Sequence, residues 1–522
     1  MTSGVTATSS RTAARLICVA AATLLFTVAA IQSQTPNPNH RSEIRQLIKN
    51  AAKLARKGSL TTAEQLLRRA VDMDPSRSEA KVELAYVLVK QRRLVPAFEL
   101  CFPVASAEPR NARAFAVLGA TLLSGGRFAE ARSVLANAIK IDRREDLAWA
   151  GLGMLDFYEN RIEQGLNNLQ QAVNYRPDEP DYLFALAQVA GRAELFNLSA
   201  DSYARFLRVS DPNDKERRER IKGLITFLNY LGQTGRLYFP HGDEKAAVPF
   251  ELEGDRPIIR IRVNDRQEEL KFVLDTGSGT SVMSEATAKR LKINPITHGG
   301  YARGIGGDGR FEIVYGLLRD VSIGDVRVRN VPIFLRKFHD NAQRIDGYIG
   351  LALISKFLTT IDYGSKTFSL TRKEADARQF GHSDFSLPLR LTSSGFLSGE
   401  VQLDGIDSPL NFIVDTGASV SVISERVAKT DQVSGHINDE RMRVIGAAGV
   451  REDVPTFLLP KVTFGSHTQH DIMAVALDLD LINEASGFEQ AGILGGNFLK
   501  NYRLTFDFKN SKVVFESVTP DN

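Results

Sequence analysis

The sequence predicts a multidomain protein, with an all-α solenoid in its first half and an all-β, duplicated domain in its second half. Two observations predict this fold class. Proline recurs at multiples of 34 residues, at Pro75, Pro109 and Pro177, and a 34-residue period is typical of stacked helix pairs. The tripeptide Asp-Thr-Gly occurs twice, at 275–277 and 415–417, each time after an apolar, strand-like run that ends in a tight turn.

The first 34 residues have the form of an export signal. Arg11 and Arg15 precede an uncharged stretch over residues 16–31, and the small residues 28–30 offer a cleavage site. We therefore expect residues 1–34 to be a signal peptide and the protein to be exported, either periplasmic or secreted. A stretch this short rarely spans a bilayer, and a retained membrane anchor is the alternative.

Residues 42–235 are expected to form helical repeats followed by a capping helix. Small residues recur in the proline register, where the two helices of one repeat must cross closely, at Ala63, Ala97, Ala131, Gly165 and Ser199. Residues 42–211 therefore resemble five tetratricopeptide repeats, whose concave surface would bind a peptide or a partner protein. A rigid spacer is the alternative function. The charged run at 215–220 predicts a solvated face of the capping helix, and residues 236–247 predict an interdomain linker.

The second half consists of one unit of about 130 to 140 residues that occurs twice, at 248–380 and at 381–519. The frames around the two Asp-Thr-Gly tripeptides align without a gap, and the flanking motifs follow in the same order. The matched segments are 248–250 with 387–389, 271–285 with 411–425, 304–309 with 444–449, 347–351 with 492–496, and 360–363 with 505–508.

On these motifs the second half resembles the retropepsin-like aspartic proteases, specifically the bacterial members that hold two such units in one chain. The resemblance implies a bilobal, pepsin-type β fold in which each lobe supplies one catalytic residue, here Asp275 and Asp415. It implies active-site turns and supporting glycines at Thr276, Gly277, Thr416, Gly417, Gly350 and Gly495. It implies glycine-rich flaps at Gly304, Ile305, Gly306, Gly307, Ile445 and Gly446. Viral members dimerise, whereas this chain would be a monomer with an internal pseudo-dimer, joined by a short connection near 381–385.

Two aspartates at hydrogen-bonding distance cannot both ionise, so the pair shares one proton and provides one acid and one base. The ionised member would activate a water that attacks the peptide carbonyl, and the protonated member would assist the leaving amine. The sequence therefore predicts an aspartic endopeptidase that needs no cofactor and no metal, and it leaves open which Asp holds the proton. A catalytically silent peptide-binding module and an interaction scaffold led by the repeats are the alternatives.

Other classes of site fit the sequence less well. The glycine pattern at 304–309 matches a dinucleotide motif, but the residues after it alternate like a strand and do not open a helix. His467 and His470 lie in a turn-like segment without a recognisable third metal ligand. A net charge of +4 over 522 residues, with acids and bases mixed, gives no basic stripe for nucleic acid.

Overall fold

The computed structural model describes residues 38–307, 309–339, 344–373 and 386–518. The predicted export signal at 1–34 and the predicted connection between the lobes at 381–385 lie outside the described residues. The described helices include none that is both long and apolar enough to cross a membrane. A helical region followed by a β-rich region confirms the predicted fold class.

The helical region consists of helix pairs joined by short turns, followed by one additional helix. In chain order the helices are α1 (Pro38–Arg56), α2 (Leu60–Met73), α3 (Ser78–Lys90), α4 (Leu94–Ala107), α5 (Ala112–Ser124), α6 (Phe128–Ile141), α7 (Asp146–Tyr158), α8 (Ile162–Tyr175), α9 (Pro180–Arg192), α10 (Phe196–Val209) and α11 (Lys215–Gln233). Small residues let paired helices approach each other. A Cβ on Gly153 would lie 2.6 Å from Leu169 Cγ on the neighbouring helix, and Ala131 is fully buried.

The inner face of the solenoid is bridged by its own side chains. Lys90 on α3 lies 2.8 Å from the Asp181 carboxylate on α9. This ion pair therefore joins the first helix of the second repeat to the first helix of the fifth repeat. Arg113 on α5 lies between Glu83 on α3 and Glu145 before α7, at 2.8 and 3.3 Å. Ion pairs therefore cross the concave surface that the sequence predicts for a ligand.

Helix α11 covers the end of the solenoid and makes more contacts than a solvated face would. The Arg217 guanidinium lies over the rings of Phe184 and Phe206, at 4.6 and 4.9 Å. Arg220 donates a hydrogen bond to the carbonyl of Tyr301 in the β-rich region. The expectation of a solvated charged run is therefore wrong for these arginines, because α11 is packed between two regions of the protein.

The β-rich region forms three sheets. Its elements in chain order are β1 (Phe239–Gly242), β2 (Lys245–Pro249), β3 (Glu251–Glu253), β4 (Arg256–Val263), β5 (Leu270–Leu274), β6 (Ser281–Ser284), α12 (Glu285–Arg290), β7 (Thr297–Arg303), β8 (Arg310–Ile323), β9 (Val326–Arg336), β10 (Gly347–Ile349), α13 (Leu351–Ile354), β11 (Phe357–Asp362), β12 (Thr367–Arg372), β13 (Ser386–Pro388), β14 (Arg390–Leu391), β15 (Leu397–Leu403), β16 (Leu410–Val414), β17 (Ser421–Ser424), α14 (Glu425–Ala428), α15 (Asp431–Ser434), β18 (Ile437–Gly446), β19 (Gly449–Phe464), β20 (His467–Leu477), α16 (Asp480–Ser486), β21 (Gly492–Leu494), α17 (Gly496–Leu499), β22 (Tyr502–Asp507) and β23 (Lys512–Ser517).

The sheets show the duplication directly. The first lobe is the sheet β1-β9-β6-β10-β5-β4-β8-β7 with β3 beside β4, and the second lobe is the sheet β14-β15-β16-β21-β17-β20-β19-β18. A third sheet, β13-β23-β22-β11-β12-β2, takes strands from both units. At its centre β11 and β22 pair antiparallel with Thr360 opposite Thr505, and the two hydroxyls lie 3.1 Å apart. This pairing relates the lobes by an approximate two-fold axis within one chain.

Residues 236–247, which the sequence predicts to be a linker, belong largely to this β structure. Strand β1 pairs antiparallel with β9 of the first lobe, and β2 pairs antiparallel with β12 of the shared sheet. The composition of the segment is loop-like, but its backbone groups form hydrogen bonds with strands far along the chain.

The two regions pack against each other through an aromatic cluster. Phe488, after α16, is fully buried, and its ring lies 4.9 Å from that of Phe128 and 5.0 Å from that of Tyr158. Nearby, Arg192 at the end of α9 donates a hydrogen bond of 3.0 Å to the carbonyl of Thr392 in the second lobe. The repeats therefore lie directly against the β-rich region, without a flexible spacer between them.

Candidate active site

The two Asp-Thr-Gly turns lie at matching places in the two lobes. Asp275 follows β5 and Asp415 follows β16. The Asp275 N–H donates to the carbonyl of Ile349, and the Asp415 N–H donates to the carbonyl of Leu494, both at 3.0 Å. The β10 and β21 strands run parallel to β5 and β16, so each turn is held by a strand from the matched segments 347–351 and 492–496.

The threonines of the two turns hold the lobes together by reciprocal hydrogen bonds. The Thr276 hydroxyl donates to the carbonyl of Val414 at 2.7 Å, and the Thr416 hydroxyl donates to the carbonyl of Leu274 at 2.6 Å. Each hydroxyl also accepts the backbone N–H of the other threonine, at 3.0 and 3.2 Å. Both side chains are fully buried, so the donors and acceptors at the lobe junction are matched without water.

Glycines allow the two carboxylates to approach each other. A Cβ on Gly417 would lie 2.7 Å from Asp275 Oδ1, and a Cβ on Gly277 would overlap the Asp415 carboxylate. A Cβ on Gly350 or Gly495 would meet the backbone of the adjacent turn at 2.7 Å. The structure thus places all four of these predicted glycines where a side chain would displace the Asp-Thr-Gly turns.

The Asp275 and Asp415 carboxylates are hydrogen-bonded to each other, and both have raised pKa values. Burial is the main cause for both groups. For Asp275 the neighbouring Asp415 charge and the shared hydrogen bond raise the pKa further, to well above its usual range. For Asp415 the backbone N–H of Gly417, which donates at 2.8 Å, opposes the rise in pKa. The coupled pair therefore binds a proton more tightly than a free aspartate does.

The predicted flap residues lie at the tips of two hairpins that contact each other. The first hairpin joins β7 to β8, and the second joins β18 to β19. The Gly307 N–H donates to the carbonyl of Val450 at 3.1 Å, and the Ala448 N–H donates to the carbonyl of Ile305 at 2.9 Å. Gly304, Gly306 and Gly446 also contact the opposite tip closely. Ile445 lies beside them and is 41% exposed.

The glycine pattern at 304–309 and the histidines at 467 and 470 have structural positions in the fold. The glycine pattern at 304–309 precedes strand β8, which agrees with the rejection of a nucleotide site. His467 opens strand β20 and lies 4.7 Å from the Tyr502 ring, while His470 Nδ1 lies 3.1 Å from the Pro460 carbonyl oxygen. Within the described ranges, no group of three or more His, Cys, Asp or Glu side chains could hold a metal ion.

Arg336 lies near Asp275, although no motif in the sequence marks Arg336 or its neighbour Phe311 as functional. The Arg336 charge acts on Asp275, and its guanidinium lies over the Phe311 ring. A position-by-position comparison of the two units would have found Arg336, because Leu477 takes its place in the second unit.

The family model for aspartyl proteases matches this region twice, at residues 259–353 and at residues 399–498. The β-rich region is a duplicated aspartyl protease family domain. Each matched segment contains one Asp-Thr-Gly turn, and both segments together leave the helical region uncovered. A tetratricopeptide repeat model matches residues 51–101, which lie within α1 to α4.

Solved structures similar to the chain are tetratricopeptide repeat proteins. A thermophilic one from Thermus thermophilus is 22% identical, with 35% of this chain and 98% of that chain covered and a TM-score of 0.31. PilF of Pseudomonas aeruginosa is 17% identical, with 37% of this chain and 89% of that chain covered and a TM-score of 0.28. No curated protein matches the chain.

Proposed function

We propose that this aspartyl protease family domain is an active endopeptidase. The observation that carries the proposal is the hydrogen-bonded pair Asp275 and Asp415, held across the lobe junction by the buried threonines of the same turns. A peptide-binding module without catalysis would not need two carboxylates whose repulsion the fold must balance by a shared proton.

In the proposed reaction Asp415 is the ionised member and Asp275 is the protonated member. This assignment rests on the Gly417 N–H, which donates to Asp415 at 2.8 Å and favours its ionised form. Asp415 removes a proton from a water as the water attacks the peptide carbonyl, and Asp275 donates a hydrogen bond to the developing oxyanion. The substrate lies as an extended strand beneath the flap tips, where its backbone forms hydrogen bonds with the flaps.

The test is cleavage of unfolded casein by the purified full-length protein, between about pH 3 and pH 7. Asp275→Asn and Asp415→Asn should each lower the rate by at least about a thousandfold. Asp407→Asn, which changes an exposed aspartate of the second lobe, is the matched control and should retain full activity. Cleavage that survives in one of the two active-site variants would contradict a shared site, and an inactive parent protein would favour the binding module.

We propose further that the tetratricopeptide repeats recruit a protein or peptide, as such repeats do by fold analogy. Ion pairs cross the inner face between α3 and α9, and a cavity of about 720 Å³ at the first repeats is lined by Arg45, Arg77 and Glu79 among others. Arg45→Glu should raise the KM for a long protein substrate and leave cleavage of a short peptide unchanged. Equal effects on both substrates would argue against recruitment by this cavity.

Export is proposed on the sequence of residues 1–34. Expression of the full chain in a bacterium with two membranes, followed by fractionation, should recover a shortened protein outside the cytoplasm. A full-length product in the membrane fraction would instead support the retained anchor.

A further inference from the structure

The two lobes present different side chains at equivalent places beside the catalytic turns. In the first lobe β6 pairs with β9 so that Ser284 lies beside Arg336, and in the second lobe β17 pairs with β20 so that Ser424 lies beside Leu477. Because both pairings are parallel and follow equivalent turns, Arg336 and Leu477 occupy corresponding positions. The two sides of the cleft therefore differ in charge.

A second pair of equivalent positions also differs between the two lobes. Tyr348 on β10 lies opposite Val282, and its counterpart Ile493 on β21 lies opposite Val422. Two residues after Arg336, the Phe338 ring contacts the Tyr348 ring edge to face at 5.3 Å. The first lobe thus has an aromatic wall where the second lobe has an aliphatic one.

The Arg336 guanidinium lies within this aromatic wall, with its carbon 5.1 Å from the centroid of the Phe311 ring at the base of the first flap. Its Nε is buried and forms no hydrogen bond to any of the residues that the structure describes. Guanidinium is a fixed cation with a planar fork of donors that matches a carboxylate. A buried donor of this kind without an acceptor is suited to receive one from a ligand.

The second lobe offers no such donor at the corresponding place. Leu477, Leu479 and Ile493 are 1%, 2% and 7% exposed and belong to one apolar cluster. Partly buried residues packed against that cluster include Ile305 at the tip of the first flap and Val420 after the second catalytic turn. An apolar side chain of the substrate fits this half of the cleft.

Arg336 is close enough to Asp275 for their charges to interact, but Asp275 cannot neutralise it in the proposed reaction. In that reaction Asp275 carries the shared proton, so it is uncharged when the substrate enters. Among the described residues that interact with the guanidinium, none is then ionised. An incoming carboxylate would provide that charge.

We propose that Arg336, between Phe311 and Tyr348, forms a subsite for a carboxylate of the substrate, so that the enzyme selects an acidic residue on the first-lobe side and an apolar residue on the second-lobe side. The proposal rests on the proposed endopeptidase function. It replaces the default expectation of cleavage between two apolar residues, which follows from alternating pockets alone.

The test uses peptides with blocked ends that differ only in having Glu, Gln or Lys at each position near the scissile bond. The full-length protein should cleave one Glu peptide with a kcat/KM at least about tenfold above its Gln counterpart. Arg336→Leu, which installs the side chain of the second lobe, should remove that preference, and Arg336→Glu should favour Lys. Arg329→Leu, at an exposed position on the same strand β9, is the matched control and should retain the preference.

A further pair of peptides separates the two sources of a carboxylate. If the subsite takes the carboxyl terminus of a chain, a free terminus and not an internal Glu will give the preference, and amidation will remove it. Equal rates for Glu, Gln and free-terminus peptides in the parent protein would overturn the proposal. So would an equal loss for all peptides in Arg336→Leu with a shifted pH profile, because Arg336 would then act on Asp275 and not on the substrate.

Failure of the proposed endopeptidase function is distinguishable from failure of this subsite. If the parent protein cleaves no peptide at any pH, binding of the Glu and Gln peptides can be measured by calorimetry. Tighter binding of Glu that is lost in Arg336→Leu would support the subsite in an inactive cleft, and equal binding would overturn it.

Discussion

The proton shared by Asp275 and Asp415 makes the stability of the native protein depend on pH. Burial raises the pKa of both groups, and the like charge of Asp415 adds to the rise for Asp275. A carboxyl whose pKa is higher in the folded than in the unfolded state stabilises the fold at low pH. This contribution is lost as the pH rises through the folded pKa.

We therefore expect Asp275→Asn to be more stable than the parent protein at pH 7, because folding of the parent must then take up a proton at Asp275, whereas folding of the variant does not. The difference in melting temperature should shrink toward about pH 4, where Asp275 of the unfolded parent also begins to bind a proton. Scanning calorimetry of both proteins across this range measures the difference. A constant difference at every pH would mean that the pair does not titrate as a unit.

The buried hydroxyls of Thr276 and Thr416 are the other residues on which the site depends. Thr416→Val should lower the free energy of unfolding by about 1 to 3 kcal/mol, because it leaves the carbonyl of Leu274 and the N–H of Thr276 without partners in a buried junction. Thr416→Ser keeps the hydroxyl and should retain most of the stability and activity. Denaturant titration and casein cleavage, measured on the same preparations, would detect both effects. Equal losses in the two variants would show that the methyl group matters more than the hydrogen bonds.

At the scale of elements, the first flap is held from outside by helix α11. The backbone of Gly223 lies against β7, where a Cβ would overlap the His298 carbonyl and lie 2.6 Å from Gly299 Cα. Arg310, which opens β8, forms an ion pair with Glu216 on the same helix at 3.3 Å. Movement of this flap therefore depends on how α11 is packed, although α11 belongs to the helical region.

Gly223→Leu should push α11 away from β7 and speed amide hydrogen exchange over residues 297–307. Because α11 also covers the last repeat, the melting temperature should fall as well. Thr226→Leu, at an exposed position of α11, adds similar bulk without meeting β7 and is the matched control. Unchanged exchange in the flap of Gly223→Leu would show that α11 does not restrain it.

For the whole molecule, the aromatic cluster of Phe128, Tyr158 and Phe488 makes the repeats and the protease domain one packed body. Phe488→Ala should lower the free energy of unfolding by about 3 to 5 kcal/mol, since it removes a fully buried ring between the two regions. We expect calorimetry to show two transitions in this variant where the parent shows one. A single transition at a lower temperature would mean that the other contacts suffice to couple the regions.

The sequence alone determined the features that neighbouring residues specify. The 34-residue period indicates helix pairs, and two equal frames around Asp275 and Asp415 indicate duplicated turns, because local periodicity and turn chemistry act over a few residues. The tertiary structure alone decided which distant groups meet. It brought the threonine hydroxyls of one turn to the backbone of the other, placed residues 239–249 in two sheets, and formed the Lys90–Asp181 ion pair across the inner face of the repeats. These contacts join residues from about 80 to 140 positions apart, and their partners depend on the path of the whole chain, which no short pattern encodes.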